Sequence, residues 1–375
     1  MIREQDQANA HEKASPPGCC DEEACCSADT VQHGGRGVRR VGTVASSVGG
    51  VPRVTGKWNW RDWFGTLKVR MGIGRMDYRI PAGLYALGAP DEKSPVFVTA
   101  NYKKSFDHLR RDLKGEDGWI LVLDTNGINV WCAAGKGTFG TEELLRRIET
   151  TSLAGVVTHR ELIVPQLGAP GVAAHEVRQK SGFRVVYGPV RSADLRDFLE
   201  AGCEATGGMR EVSFPLADRM ALVPVEFFGG LKYVLAVLAV LLVLGGIEGW
   251  GYSLDAVWSA LPLAAVTCAL GLVAGAVLTP AFLPFLPGRA FSLKGAFCGL
   301  LASMAVAGAC VSGGTEIIAA ASVVLLATPI ASAYAMNFTG ASTFTSLSGV
   351  RREMRAAVPL QVIAGLVGLV LWTLT

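Results

Sequence analysis

After Phe227 the charges of this 375-residue chain almost vanish, and five apolar stretches follow, at residues 227–247, 256–278, 295–311, 317–334 and 356–374. A helix needs about 20 mostly apolar residues to cross the hydrocarbon core of a bilayer, so each stretch reads as a membrane span. The third and fourth are short and are joined only by Ser312-Gly313-Gly314-Thr315-Glu316, which predicts a helical hairpin. Before Phe227, charges and short apolar runs alternate. The chain therefore divides into a soluble part followed by an all-α, five-helix membrane domain. With half of its residues hydrophobic, it is too apolar overall for an ordinary soluble enzyme.

Cytoplasmic loops retain Lys and Arg, so their distribution predicts orientation. Arg219 and Lys232 flank the start of the first stretch, Arg289 and Lys294 separate the second from the third, and Arg351, Arg352 and Arg355 precede the fifth. The intervening loops carry Glu248, Asp255 and Glu316 and no basic residue. This asymmetry predicts a multi-pass protein of the cell (inner) membrane, with the soluble part cytoplasmic and the C-terminus outside. Trp250, Tyr252, Trp258 and Trp372 then fall near the outer boundary, where amphipathic rings prefer to lie. Met1-Ile2-Arg3-Glu4-Gln5-Asp6 leads into a polar tail without an apolar signal region, so the first span is expected to direct insertion.

No stretch holds an ionisable residue near its centre, which argues against a transport path. Gly271 with Gly275 and Gly295 with Gly299 have the spacing of closely packed helices, within one chain or between copies. Cys268, Cys298 and Cys310 read as small apolar residues, a thiol relay for a soft metal being the other reading.

Residues 1–50 have the composition of a flexible tail and residues 213–226 that of a linker. The tail holds Cys19-Cys20 and Cys25-Cys26, separated by Asp21-Glu22-Glu23-Ala24. Such pairs can clasp a soft cation through thiolates, but they lack the longer loop that marks a structural zinc site. The alternative is a tail whose thiols do nothing specific.

Residues 51–212 alternate short apolar runs with helical segments, which predicts an α/β, Rossmann-like domain with a parallel sheet. Strands are expected at 96–99, 119–123, 155–158 and 184–187, and helices at 102–114, 141–150, 173–180 and 193–201, the second helix capped by Thr141. Ligands of open sheets sit beyond the carboxyl ends of the strands, so residues 124–140 form a candidate site. Gly135, Gly137 and Gly140 satisfy G-x-G-x-x-G there. Too many residues separate them from the preceding strand, Lys136 occupies the tight turn, and no acidic residue ends the next strand, all of which disfavour a nucleotide.

The same segment contains Asn129-Val130-Trp131-Cys132-Ala133-Ala134-Gly135-Lys136. Asn129 is a good N-cap, which would put Cys132 in the first turn of a short helix ended by Gly135. Free backbone N–H groups and the positive end of the helix dipole then surround its sulfur, an environment suited to an anionic metal ligand. Ala133, Ala134 and Gly135 would let a flat ligand approach the backbone. A buried, inert cysteine beside a core tryptophan is the competing reading. Thr158 and His159 are expected at another strand end, either lining the ligand or serving as ordinary loop residues.

The residues from Pro95-Val96-Phe97-Val98-Thr99-Ala100-Asn101-Tyr102 through Leu123-Asp124-Thr125 to Gly182-Phe183-Arg184-Val185-Val186-Tyr187-Gly188-Pro189-Val190 resemble the corrinoid-binding domain of the corrinoid iron-sulfur protein of the acetyl-CoA pathway. Together with the five spans, the octapeptide from Asn129 to Lys136 resembles the membrane corrinoid proteins of microbial mercury methylation, the HgcA family. The likeness covers nearly everything from about Lys57 onward and leaves out the cysteine-rich tail.

This resemblance implies a cobalamin-type cofactor with cobalt facing Cys132 as lower axial ligand and catalytic residue. Asn129, Val130, Trp131, Ala133, Ala134, Gly135 and Lys136 are then cofactor-binding, as are Thr158 and His159. The D-x-H-x-x-G motif of histidine-ligated corrinoid proteins does not occur in the chain. The implied reaction transfers a methyl group from methyl-Co(III) to Hg(II), a thiolate trans to the methyl group making it more nucleophilic. A ferredoxin-like iron-sulfur protein is implied as electron donor, because the chain has no cluster motif, and a methyltetrahydrofolate-linked route as methyl donor. Nucleic acid is not an expected partner. The alternatives are a membrane-bound soft-metal carrier using the tail cysteines and a nucleotide-binding membrane oxidoreductase.

Overall fold

A computed structural model describes residue 38 and residues 40–341 and 347–375. Cys19, Cys20, Cys25 and Cys26 lie outside the described residues.

Gly118–Leu123 and Val96–Ala100 are buried at every position, as strands must be when helices cover both faces of a sheet. They are β5 and β4 of a seven-stranded sheet in the order β1-β2-β3-β5-β4-β6-β7. The other strands are β1 (Arg40–Ser46), β2 (Gly49–Val54), β3 (Gly83–Leu87), β6 (Glu161–Val164) and β7 (Arg184–Tyr187). The quartet β5-β4-β6-β7 is parallel, as expected, whereas β3 runs antiparallel to β5 and β1 antiparallel to β2. The sheet is thus mixed and mostly parallel.

Two layers of helices close it. Phe106 and Leu109 of α2 (Lys103–Asp112) pack with Leu195 and Phe198 on one face, against Phe97, Ile120 and Val122. On the other face Leu144 and Ile148 of α4 (Thr141–Thr150) and Val177 of α5 (Ala174–Ser181) meet Val96, Val98 and Leu121. Between them in sequence lies α3 (Val130–Lys136), while α1 (Trp60–Arg70) precedes β3.

Three expectations are corrected. Residues 40–50 belong to the sheet as β1 and the start of β2, so the ordered domain begins inside the stretch read as tail. Residues 155–158 are no strand: Leu153–Val156 forms one helical turn whose Leu153, Val156 and Val157 are buried, and the strand is the next apolar run, Leu162-Ile163-Val164. The cap of α4 is Gly140, and the Thr141 hydroxyl instead accepts from the Ala173 N–H at 2.8 Å. The stretch read as a linker is also partly helical, with Leu216–Met220 leading into the first span.

Five helices are long and apolar enough to cross a membrane: Leu216–Gly245, Leu254–Phe282, Phe291–Ser312, Ile317–Phe338 and Gly349–Trp372. The fourth is the central one. A Cβ on Gly271 or Gly275 of the second span would lie 2.6 Å from Ile330 or 2.5 Å from Tyr334, and one on Gly295 or Gly299 of the third 2.3 or 2.6 Å from Ala335 or Ala331. Both small-residue pairs therefore serve packing onto the fourth span of the same chain. The third and fourth spans form the expected hairpin. Trp250, between the first two spans, and Trp258, in the first turns of the second, are exposed, but Trp372 is buried and donates to the Leu241 carbonyl at 2.9 Å. Cys268 and Cys298 sit in separate buried clusters, and no group of three potential metal ligands occurs among the described residues.

Candidate corrinoid site at the carboxyl edge of the sheet

The chain leaves β5 into a loop that one buried side chain organises. Asn101, at the end of β4, accepts from the N–H groups of Thr125 and Gly127 at 3.1 and 2.9 Å and donates to Asp124 Oδ1 at 2.9 Å. The Thr125 hydroxyl stands 2.9 Å from Asn101 Oδ1 and 2.7 Å from the Ile128 carbonyl. This clamp holds Asn126 and Gly127 in consecutive left-handed conformations, with φ of 57° and 73°, and so turns the chain sharply into α3. The Asp124 N–H donates to Glu143 Oε1 at 2.8 Å, fixing the loop to α4 as well. Burial raises the affinity of Glu143 for a proton, but the Asp124 N–H and the Arg147 and Arg146 guanidiniums outweigh it and hold this carboxyl below its ordinary range.

Asn129 caps α3 as expected, accepting from the Cys132 N–H at 2.9 Å. Cys132 is a free, partly buried thiol in the first turn. The helix runs on past Gly135 and ends at Gly137, which adopts a left-handed φ of 80°. Ala133 and Ala134 face the core and are no approach surface, whereas a Cβ added at Gly135 would meet nothing within 4 Å. Lys136 is exposed. Gly140 caps α4, so Gly137 and Gly140 of the G-x-G-x-x-G pattern build the turn between two helices, while Gly135 lies inside α3.

Beneath α3 the backbone is packed to the limit. A Cβ on Gly171 would lie 2.0 Å from the Phe139 carbonyl oxygen and 3.2 Å from Ala134 Cα, and one on Gly168 2.5 Å from the Phe139 ring. The turn Gln166–Gly171, which follows β6, is thus the floor on which α3 rests.

Asn129, Val130 and Trp131 form part of the wall of a cavity of about 710 Å³, in the upper part of the range for ligand sites. Its other walls come from the carboxyl ends of β4, β6 and β7, through Thr99, Pro165 and Pro189, from α2, and from Ala217, Asp218 and Ala221 at the amino end of the first long apolar helix. The cavity wall ends one residue before Cys132. Thr158 and His159 lie elsewhere. Thr158 donates from its N–H to the Glu92 carbonyl at 2.8 Å, and His159 Nε2 is 2.9 Å from the Ser94 carbonyl. These contacts put both residues before the amino end of β4, across the sheet from Cys132. The misread strand explains the error: a strand at 155–158 would have brought them to the carboxyl edge.

Sequence reasoning gave Asn101, Thr125 and Glu143 no role in the site. It also missed the basic side of α2, where Lys104, His108 and Arg111 line the cavity with Arg70.

Residues 71–199 match the family model described as CO dehydrogenase/acetyl-CoA synthase delta subunit. The chain is 35% identical over 128 residues to the acetyl-CoA decarbonylase/synthase complex subunit gamma of Methanopyrus kandleri, which covers 34% of this chain and 27% of the relative. With the Moorella thermoacetica corrinoid/iron-sulfur protein large subunit it shares 26% identity over 125 residues, 33% of this chain and 28% of the relative. The chain thus spans little more than a quarter of the length of these relatives. Residues 71–199, which include β3 to β7 and the octapeptide, are related to corrinoid proteins of the acetyl-CoA pathway; the five long apolar helices lie outside the family match.

Proposed function

We propose that this chain is a membrane-anchored corrinoid protein that transfers a methyl group to Hg(II), forming methylmercury, with Cys132 as the lower axial ligand of cobalt. The observation that carries this reading is a free cysteine on a capped helix at the carboxyl edge of four parallel strands, beside a large cavity, within a segment related to corrinoid proteins. The residues fit such a group. Cys132 is an uncommitted soft donor, which suits cobalt. Its backbone is fixed by Asn129, and Gly135 leaves open space next to it.

A bound corrinoid supplies a methyl group carried on cobalt. The chain's own residues hold it and set its electronics. Asn101 and Thr125 fix the loop that fixes α3, Gly168 and Gly171 let α3 sit low on the sheet, and Cys132 would hold the cobalt through its sulfur, a donor that would favour transfer of the methyl group to an electrophile. Asn129, Val130 and Trp131 would bound the ligand space, and Lys136 is exposed at the end of α3. We further propose a cytoplasmic soluble domain in the cell (inner) membrane orientation given by the basic loops, a ferredoxin-like iron-sulfur protein as electron donor, and a methyltetrahydrofolate-linked methyl donor.

The test uses the full chain in lipid nanodiscs, loaded with a corrinoid, beside Cys132→Ala. The substitution is expected to change the visible cobalt spectrum and abolish methylmercury formation while the protein stays folded. Changing Cys19, Cys20, Cys25 and Cys26 together is expected to leave both readouts in place. An unchanged cobalt spectrum in Cys132→Ala removes the axial thiolate, and loss of activity only in the tail variant favours a soft-metal carrier.

A further inference from the structure

We propose that Arg70, Lys104 and His108, on the α2 side of the cavity, form an oxyanion site that takes the phosphodiester of the cofactor's nucleotide tail. This inference rests on the corrinoid reading above.

Helix α2 carries charge on two faces with opposite outcomes. On one, Lys103, Asp107 and Arg110 form a closed buried network with Asp62, two cations against two carboxylates at 2.5–3.1 Å. On the other, Lys104, His108 and Arg111 recur at helical spacing along the cavity wall, joined by Arg70 from the end of α1. The carboxylates lining this cavity are Asp112 and Asp218, and both are already engaged. Asp112 pairs with Arg111 at 2.7 Å and accepts from the Ser192 hydroxyl at 2.5 Å, and Asp218 pairs with Arg191. Arg70 and Lys104 are left without an ion pair among the described residues. Arg70 Nε and His108 Nε2 are buried without a hydrogen-bond partner among the described residues, which leaves both donors for a ligand.

Burial, with Arg70 and Arg75 nearby, pushes the Lys104 amine down to about 8, and burial near Arg111 and Lys104 pushes His108 down to about 4. At neutral pH the cluster therefore offers two cations and a neutral imidazole, with repulsion that an anion would relieve. In a complete corrinoid the peripheral side chains are neutral amides, and the fixed anion is the phosphodiester of the nucleotide loop. That loop hangs from the lower face of the ring. If Cys132 holds the cobalt, that loop would be received by the cavity, whose wall runs from Asn129–Trp131 to α2.

The experiment titrates the full chain in nanodiscs with cobalamin and with cobinamide, which lacks the nucleotide and its phosphodiester, following the visible spectrum. Wild type is expected to prefer cobalamin by about tenfold or more, and Arg70→Gln combined with Lys104→Gln to bring the two affinities near parity. Inorganic phosphate is expected to weaken cobalamin binding and leave cobinamide unaffected. The ligand-free double variant is expected to melt no lower than wild type, because repulsion has been removed; a lower Tm would assign these cations a structural role and overturn the site. Equal wild-type affinities for the two corrinoids would overturn the oxyanion site while sparing the corrinoid reading, whereas failure of both to bind would overturn both.

Discussion

Asn101 is the residue on which the candidate site most depends. Asn101→Ala leaves the buried N–H groups of Thr125 and Gly127 without their acceptor, and each such loss costs about 1–3 kcal/mol. The expected destabilisation is about 2–4 kcal/mol, read as a lower Tm of the soluble part, with weakened corrinoid binding because α3 loses its anchor. Gly135→Ala should do the opposite to stability. Its Cβ has open space and its backbone is helical, so helix propensity improves by up to about 1 kcal/mol, while the added methyl fills the open surface next to Cys132. Higher Tm together with weaker corrinoid binding is the expected pair; unchanged binding would place the ligand elsewhere. The contrast between Asn129 and Asn101 marks what a sequence reveals. The Asn129 cap closes on a residue three positions away and follows from local rules, whereas the partners of Asn101 stand 23, 24 and 26 positions on and depend on β4 and β5 being neighbours.

At the scale of elements, Glu143 ties α4 to the loop that presents α3. Its folded-state affinity for a proton is depressed, so the stability it contributes is present above its unfolded pKa, near 4.5, and is lost as pH falls through the lower folded value. Glu143→Gln should therefore lower Tm at pH 7, by an amount equivalent to about 1–2 kcal/mol, and flatten the decline in wild-type stability on acidification below pH 4.5. Thermal melts of both proteins across that range check this; parallel curves would mean that the carboxylate is not the link. Elements with continuous apolar runs were legible: β4, β5, β7 and all five spans fall where the pattern puts them. The strands β1 and β2 were not, since Gly42, Gly49, Gly50 and Pro52 interrupt them and their order comes from pairing rather than from local preference, and β3 went unread although Leu84-Tyr85-Ala86-Leu87 is a continuous apolar run. Between Leu153 and Val164 two apolar runs compete, and packing onto α4 takes the first out of the sheet.

The whole molecule joins what the sequence seemed to separate. Ala217, Asp218 and Ala221, at the amino end of the first long apolar helix, line the cavity, Asp218 pairs with Arg191 beyond β7, and buried Arg219 donates to the carbonyls of Pro280 and Ala281 at 3.0 and 3.2 Å, at the end of the second. One wall of the cavity is thus held by the long apolar helices. A fragment ending at residue 212 keeps every strand of the sheet and should fold, but it lacks that wall. Its corrinoid affinity is expected to fall about tenfold or more relative to the full chain, which is about 1.4 kcal/mol. Extending the fragment to residue 222 should restore only part of the difference, because Arg219 still lacks its carbonyl acceptors. Full-chain Arg219→Gln should then resemble the extended fragment in the same titration. Equal affinity in all four proteins would show that the sheet edge and α3 suffice, and that the membrane helices only anchor the site.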